Sequence, residues 1–262
     1  MSMKRSWHWR IRKTHRYLGV LIGVQFLFWT VGGLYFSWSN LDDIHGDPMK
    51  RPPGALPLQG ALVSPSVPLE ILRRRAGIDS IMGLQLIDVL GQPIYQLTYR
   101  TQDGHGHART YTQLADARTG QLRNELTKGE ATRLAQRRFA GSSAVERVEY
   151  LMATDPHHEY RAKPLPAYAV TFRQPAHATI YVAAQLGTVQ SIRTDPWRMF
   201  DWLWMLHTMD YQGRDNINNG LLRAFSGLGL LTILSGFALY FVSSPRFRRQ
   251  RPNSRKPIPN RQ

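Results

Sequence analysis

Residues 18–38, LGVLIGVQFLFWTVGGLYFSW, run for 21 positions without a charged side chain, and residues 224–244, AFSGLGLLTILSGFALYFVSS, do the same near the other end. At ~1.5 Å rise per residue, each stretch reaches ~30 Å as a helix, the depth of a bilayer's hydrocarbon core. The tail before the first carries Lys4, Arg5, Arg10, Arg12, Lys13 and Arg16. The tail after the second carries Arg246, Arg248, Arg249, Arg251, Arg255, Lys256 and Arg261, and neither tail holds an acidic residue. Short loops rich in Lys and Arg stay cytoplasmic, so both termini are expected inside and the long middle segment outside, which in a bacterium is the periplasm. The expected order is a basic tail (1–17), a transmembrane helix (18–38), a periplasmic domain (39–196), an interfacial amphipathic helix with its connection (197–220), a second transmembrane helix (221–244) and a basic tail (245–262).

The net charge of +16 suggests nucleic acid until it is located. The tails hold 13 of the 34 Lys and Arg residues; the rest of the chain has 21 against 18 acidic residues, or +3. An excess that flanks two apolar helices fits anionic lipid headgroups, not a recognition surface, so membrane lipid is the expected partner and no nucleic acid. There is no cysteine, which excludes thiol redox chemistry, iron–sulfur ligation and covalent c-type haem. Ser37-Trp38-Ser39-Asn40-Leu41 has no small-x-small cleavage pattern, so the first stretch reads as an anchor, not a cleaved signal. Trp7, Trp9, Trp38 and Tyr240 flank the spans as interfacial rings do. No Walker loop, G-x-G-x-x-G, G-x-S-x-G or H-E-x-x-H occurs, leaving nucleotide binding and self-contained hydrolysis without support.

Residues 48–68, rich in Pro and Gly, read as an extended linker. Beyond them the chain repeats itself. Arg73-Arg74-Arg75-Ala76-Gly77 returns as Arg137-Arg138-Phe139-Ala140-Gly141, each closing a helical pattern. Tyr95–Arg100 returns as Tyr168–Arg173, an alternating strand pattern, and residues 112–122 return as 179–189, turning at Gly120 and Gly187. The offsets of 64, 73 and 67 residues differ as loop insertions would make them differ, residues 155–166 being one candidate. Two helix-plus-antiparallel-sheet units in tandem between two membrane helices are expected, an α+β membrane protein.

Ala115-Asp116-Ala117-Arg118-Thr119-Gly120-Gln121-Leu122, followed by Thr127-Lys128-Gly129-Glu130-Ala131, resembles the PepSY pattern of a strand, a D-x-x-T-G turn and a helix opening near an acidic-Ala pair. The turn residues have a local reason: Asp and Thr side chains accept from turn amides, and Gly supplies positive φ. The second copy keeps Gly187 but has Ala183 and Leu186 where Asp and Thr would stand. His15-Arg16-Tyr17-Leu18-Gly19 leading into a helix with Gly32-Gly33 is similar to the first membrane helix of PepSY-associated transmembrane proteins. Leu206-His207, then a polar connection and a helix with Ser235-Gly236, is similar to their second. Some larger relatives have four membrane helices and act as haem-containing ferric-siderophore reductases of the inner membrane; this chain has two such stretches.

His15 opens the first span, with Gly19 and Gly23 following at i+4 and i+8. That face suits either a flat macrocycle whose iron His15 ligates, or an interfacial histidine beside a helix-packing Gly-x-x-x-Gly. His207 lies in residues 197–211 among Trp197, Phe200, Trp202, Trp204, Met205 and Met209, an interfacial helix; it reads as a second haem ligand or as a member of an aromatic belt. The resemblance favours ligation of haem b for both. At opposite membrane faces, ~30 Å apart, they cannot share one iron. Each then needs a second ligand: His45 for the outer site, and His8 or His15 of another copy for the inner one. Arg223 marks the interface or pairs with a haem propionate. His105 with His107, and His157 with His158, are weaker metal candidates on polar loops. The expectation is an inner-membrane haem-binding electron-transfer protein supporting periplasmic reduction of ferric siderophores or iron uptake, acting as a homodimer or with a partner membrane subunit. Alternatives are a membrane-tethered PepSY binding or inhibitory module and an accessory subunit of a transporter or reductase.

Overall fold

The computed structural model describes residues 2–56, 60–102 and 107–243, with side chains from residue 9 onward except Val242. The helices are α1 (Ser2–Trp38), α2 (Leu41–His45), α3 (Ser66–Arg75), α4 (Lys128–Arg138), α5 (Asp195–Thr208) and α6 (Gly220–Ser243). The strands are β1 (Ser80–Val89), β2 (Gln92–Gln102), β3 (Ala108–Asp116), β4 (Leu122–Arg123), β5 (Val145–Leu151), β6 (Ala167–Phe172), β7 (Thr179–Ala183) and β8 (Thr188–Arg193). They form two four-stranded antiparallel sheets in the orders β1-β2-β3-β4 and β5-β6-β7-β8. Two helical stretches, Trp9–Trp38 and Gly220–Phe241, are long and apolar enough to cross a membrane. The chain divides into one compact unit built from α1 up to Leu34 and from Trp204 onward, and a second from Tyr35 to Leu203.

Helix boundaries differ from the sequence reading. α1 starts in the basic tail, because Lys and Arg are good helix formers and no Pro or Gly interrupts residues 2–18. α6 starts at Gly220, ahead of residue 221, because Asn219 caps it: its Oδ1 accepts from Leu222 N at 2.8 Å. The interfacial helix ends at Thr208, short of Tyr211. Ser244 and the rest of the C-terminal tail lie outside the described residues.

In the second unit each sheet follows its own helix, so helix and four-strand meander occur twice in the same order. The matched strings fall at matching places: at the ends of α3 and α4, on β2 and β6, and at the turns into β4 and β8. The first of those turns shows its chemistry plainly. Asp116 Oδ1 accepts from Arg118 N at 2.7 Å and Thr119 N at 2.9 Å, Thr119 Oγ1 accepts from Gln121 N, and Gly120 has φ +75°. α4 opens with a capping box, Thr127 and Glu130 each satisfying the other's amide, with Arg123 2.6 Å from Glu130 Oε1. These bonds hold the Glu130 carboxyl below its usual pKa against the opposing effect of burial.

The main core of this unit draws on both sheets. Phe139, at the end of α4, is fully buried and stacks on Phe172 at 4.3 Å, a burial contributing about 2–3 kcal/mol. Val89, Ile94 and Leu114 of the first sheet join Val170 and Ile180 of the second in this cluster. Gly187 lets the β7–β8 turn press onto the first sheet: a Cβ there would stand 3.3 Å from both Leu114 and Val89. Residues 48–56 are not a free linker. Lys50 bridges to Phe139, and Arg51 N donates to Arg138 O at 2.8 Å.

Glu159, from the segment between β5 and β6, ties that segment to the start of α5. It takes a two-pronged ion pair from Arg198 at 2.7 and 3.1 Å and a hydrogen bond from Tyr181 Oη at 2.7 Å. Arg193 lies over the Trp197 ring at 3.9 Å.

Candidate functional site

The helical unit is assembled from α1, α6 and the end of α5, and both sequence-selected histidines of the membrane region belong to it. α1 meets α6 along His15, Ile22 and Phe26, a heptad-like spacing. Small residues of α6 allow the approach: a Cβ on Gly236 would stand 3.4 Å from His15 Cε1, and one on Gly229 3.1 Å from Phe26 Cζ. A Cβ on Gly19 or Gly23 would meet nothing within 4 Å. The expected Gly19-x-x-x-Gly23 approach is therefore not made inside this chain; the close contact is carried by Gly229 and Gly236. The outer faces are apolar and exposed, with Val20 at 70% and Leu230 at 57%, as lipid-facing surface would be.

His15 is half-buried, with its Nδ1 2.7 Å from Ser235 Oγ. Ser235 Oγ also donates to Thr232 O at 2.8 Å. A hydroxyl has one proton. Spent on Thr232, it leaves Ser235 only its lone pairs, so the His15 Nδ1–H donates; in a neutral ring with that hydrogen, Nε2 carries the lone pair. That is the tautomer in which an imidazole binds a metal, with a second group orienting the ring through the other nitrogen.

His207 stands in the last turn of α5, half-buried, its ring stacked with Trp204 (6.1 Å, 9°) and tilted against Trp29 (6.2 Å). Burial lowers its pKa below the usual 6.5, keeping the ring neutral at pH 7. The carbonyls that a helix end leaves orphaned are satisfied here from elsewhere in the unit. Gln25 Nε2 donates to Leu206 O, Trp29 Nε1 to His207 O and Asn219 Nδ2 to Thr208 O, each at 2.9 Å. Gln25, Trp29 and Asn219 escaped the sequence reading, and Ser235 entered it only within the Ser235-Gly236 string. Gln25 carried a usable signal, an amide in an otherwise apolar span.

His15 and His207 are not brought together. Their contacts on α1, at positions 15 and 29, are ~21 Å apart along the helix, so one iron cannot take both. Arg223 is exposed in the first turn of α6. His45 is exposed at the end of α2, in the other unit. His158 Nδ1 accepts from Tyr160 N at 3.0 Å, and His177 Nδ1 lies 2.7 Å from Asp195 Oδ2. His105 and the side chain of His8 lie outside the described residues. Among the described residues no group of three or more His, Cys, Asp or Glu side chains is arranged to hold a metal ion. The donor set at His15 fits haem iron from one side: an imidazole whose Nδ1 is held by Ser235 and whose Nε2 has no hydrogen-bond partner among the described residues, beside an apolar helix surface. Comparison with protein-family models, with curated proteins and with solved structures finds no match to this chain.

Proposed function

We propose that this chain is a bacterial inner-membrane protein that binds haem b through His15 and takes part in electron transfer for periplasmic reduction of ferric siderophores or a related step of iron uptake. The observation that carries the proposal is the His15–Ser235–Thr232 chain of hydrogen bonds, in which Nδ1 is the bonded ring nitrogen and Nε2 has no partner among the described residues. Bound haem supplies reversible one-electron chemistry. Ser235 orients the imidazole, and the apolar faces of α1 and α6 keep water away. His207, neutral and between two indoles, is the second proposed ligand, with His45 and Arg223 as its proposed companions toward iron and propionate. A second copy or a partner membrane subunit completes the coordination at His15. The likeness to PepSY-associated transmembrane proteins and the basic tails support the same reading, with both termini cytoplasmic and residues 39–196 periplasmic.

The test is a visible spectrum of the detergent-purified, haem-supplemented protein. Split α and β bands on reduction are expected. His15→Ala should remove the pigment assigned to that site, and Ser235→Ala should weaken haem affinity by roughly 10- to 100-fold, as loss of an orienting partner does. A folded but colourless wild-type protein rejects the haem reading and leaves a tethered binding module or accessory subunit.

A further inference from the structure

The second unit contains a cleft of about 670 Å³ where four segments meet: residues 51–56, the end of β1, the last turn of α4 and the start of β8. That size lies within the range of small-ligand sites. Its walls include the apolar side chains of Leu56, Leu86, Leu134 and Val189. Its charge is uneven. Arg51, Arg137 and Arg138 line it against a single carboxylate, Asp88.

That carboxylate is already engaged. Asp88 is almost fully buried, with its side chain 6% exposed; its Oδ1 accepts from Gly91 N at 2.6 Å and its Oδ2 lies 3.6 Å from Arg137 Nη2. The second distance is an ion pair but too long for a hydrogen bond. Arg51 Nη2 reaches only Ala140 O, at 3.5 Å. Arg138 Nε is enclosed and has no hydrogen-bond partner among the described residues. Desolvation lowers the Arg138 pKa, offset in part by Asp88, so its charge is held at a cost that a nearby anion would relieve.

The backbone makes room for this. A Cβ on Gly54 would stand 3.0 Å from Arg137 Nη2 and 3.2 Å from Asp88 Oδ2, and one on Gly91 3.5 Å from Arg137 Nη1. Two glycines thus let the guanidinium lie against main chain at the mouth of the cleft. Guanidinium donors with spare N–H groups beside an apolar wall are the chemistry that holds a carboxylate or phosphate carrying an apolar body.

We propose that this cleft is a binding site for a small amphipathic oxyanion, its carboxylate or phosphate held by Arg51, Arg137 and Arg138 and its apolar part by Leu56, Leu86 and Leu134. The site is independent of the haem reading. The probes are 1-naphthyl phosphate, 2-naphthoate and neutral 1-naphthol, titrated calorimetrically into the full chain in lipid nanodiscs, with empty discs subtracted. Saturable 1:1 binding of at least one anion is expected, the tighter of the two identifying the headgroup, with naphthol at least about tenfold weaker. Arg137→Gln and Arg138→Gln should each weaken binding about tenfold or more, the size of a lost charge-assisted pair. Arg147→Gln, on exposed β5 outside the cleft, should leave it within about twofold. Arg51→Gln, at an exposed position, carries the test if Arg138→Gln does not fold. The proposal fails if neither anion saturates, if naphthol binds as tightly as the anions, or if Arg147→Gln weakens binding as much as the cleft variants.

Discussion

Asp210 organises the connection between α5 and α6 with one carboxylate. Its Oδ1 accepts from Gly213 N at 3.1 Å and Gln212 N at 3.3 Å, and its Oδ2 accepts from Asn216 N at 2.9 Å. These amides, Asn216 first and Gly213 next, hold its pKa below the ordinary 3.8. The unfolded chain therefore binds the proton more readily than the folded one. The stabilisation is complete above pH 3.8 and fades as pH falls through the lower folded-state value. Asp210→Asn should cost about 1–2 kcal/mol at pH 7, since hydrogen bonds to a charged acceptor are lost. Its gap from wild type should stay constant above about pH 5 and narrow in more acid solution. Denaturant titrations of both proteins from pH 7 to 3 measure this, and a gap that does not narrow refutes the role assigned to the charge. A single residue's chemistry is legible where its partners are neighbours. Asp116, Thr119 and Gly120 could be assigned turn roles because every bond they make closes within five residues. Ser235 could not, because its partner His15 is 220 positions away.

At the scale of elements, α1 and α6 illustrate how a uniformly apolar helix hides its packing face. Hydrophobicity around the whole circumference leaves no stripe to mark the neighbour, so Gly19 and Gly23 looked as eligible as Gly229 and Gly236. Only the latter pair lies under another helix. Gly229→Leu should destabilise the helical unit by about 1–3 kcal/mol, as overpacking does. Gly23→Ala should be neutral or stabilising by up to about 1 kcal/mol, by helix propensity. SDS-titration unfolding in mixed micelles separates these outcomes. Equal losses from both variants would mean that the Gly23 face is packed against another chain. The strands were easier to read. Alternation and the recurrence of a helix-and-strand order at shifting offsets marked β2, β3, β6 and β7, whereas β1 and β5 were not singled out. The end of α5 was less legible, since its carbonyls are capped by Gln25 and Trp29 from a helix about 180 residues earlier in the chain.

For the whole molecule, a chain with no cysteine and two spanning-length helices offers a direct test of its proposed orientation. Ser142→Cys, exposed in the second unit, should react with a membrane-impermeant maleimide in intact spheroplasts. Ser254→Cys, in the C-terminal tail, should react only after permeabilisation, and the reverse pattern would invert the topology. What the sequence determined by itself was local or compositional. Two ~30 Å apolar runs follow from a count of uncharged residues, and the sheets follow from period-two patterns bounded by turns whose bonds are short-range. Tertiary structure decided which side chains share a site: His15 with Ser235, His207 with Trp29, and Arg51 with Asp88 and Arg137. Those groupings depend on helix rotation and on how the second hairpin turn docks onto the first sheet. Both are set by packing between residues far apart in the chain, which no local pattern records.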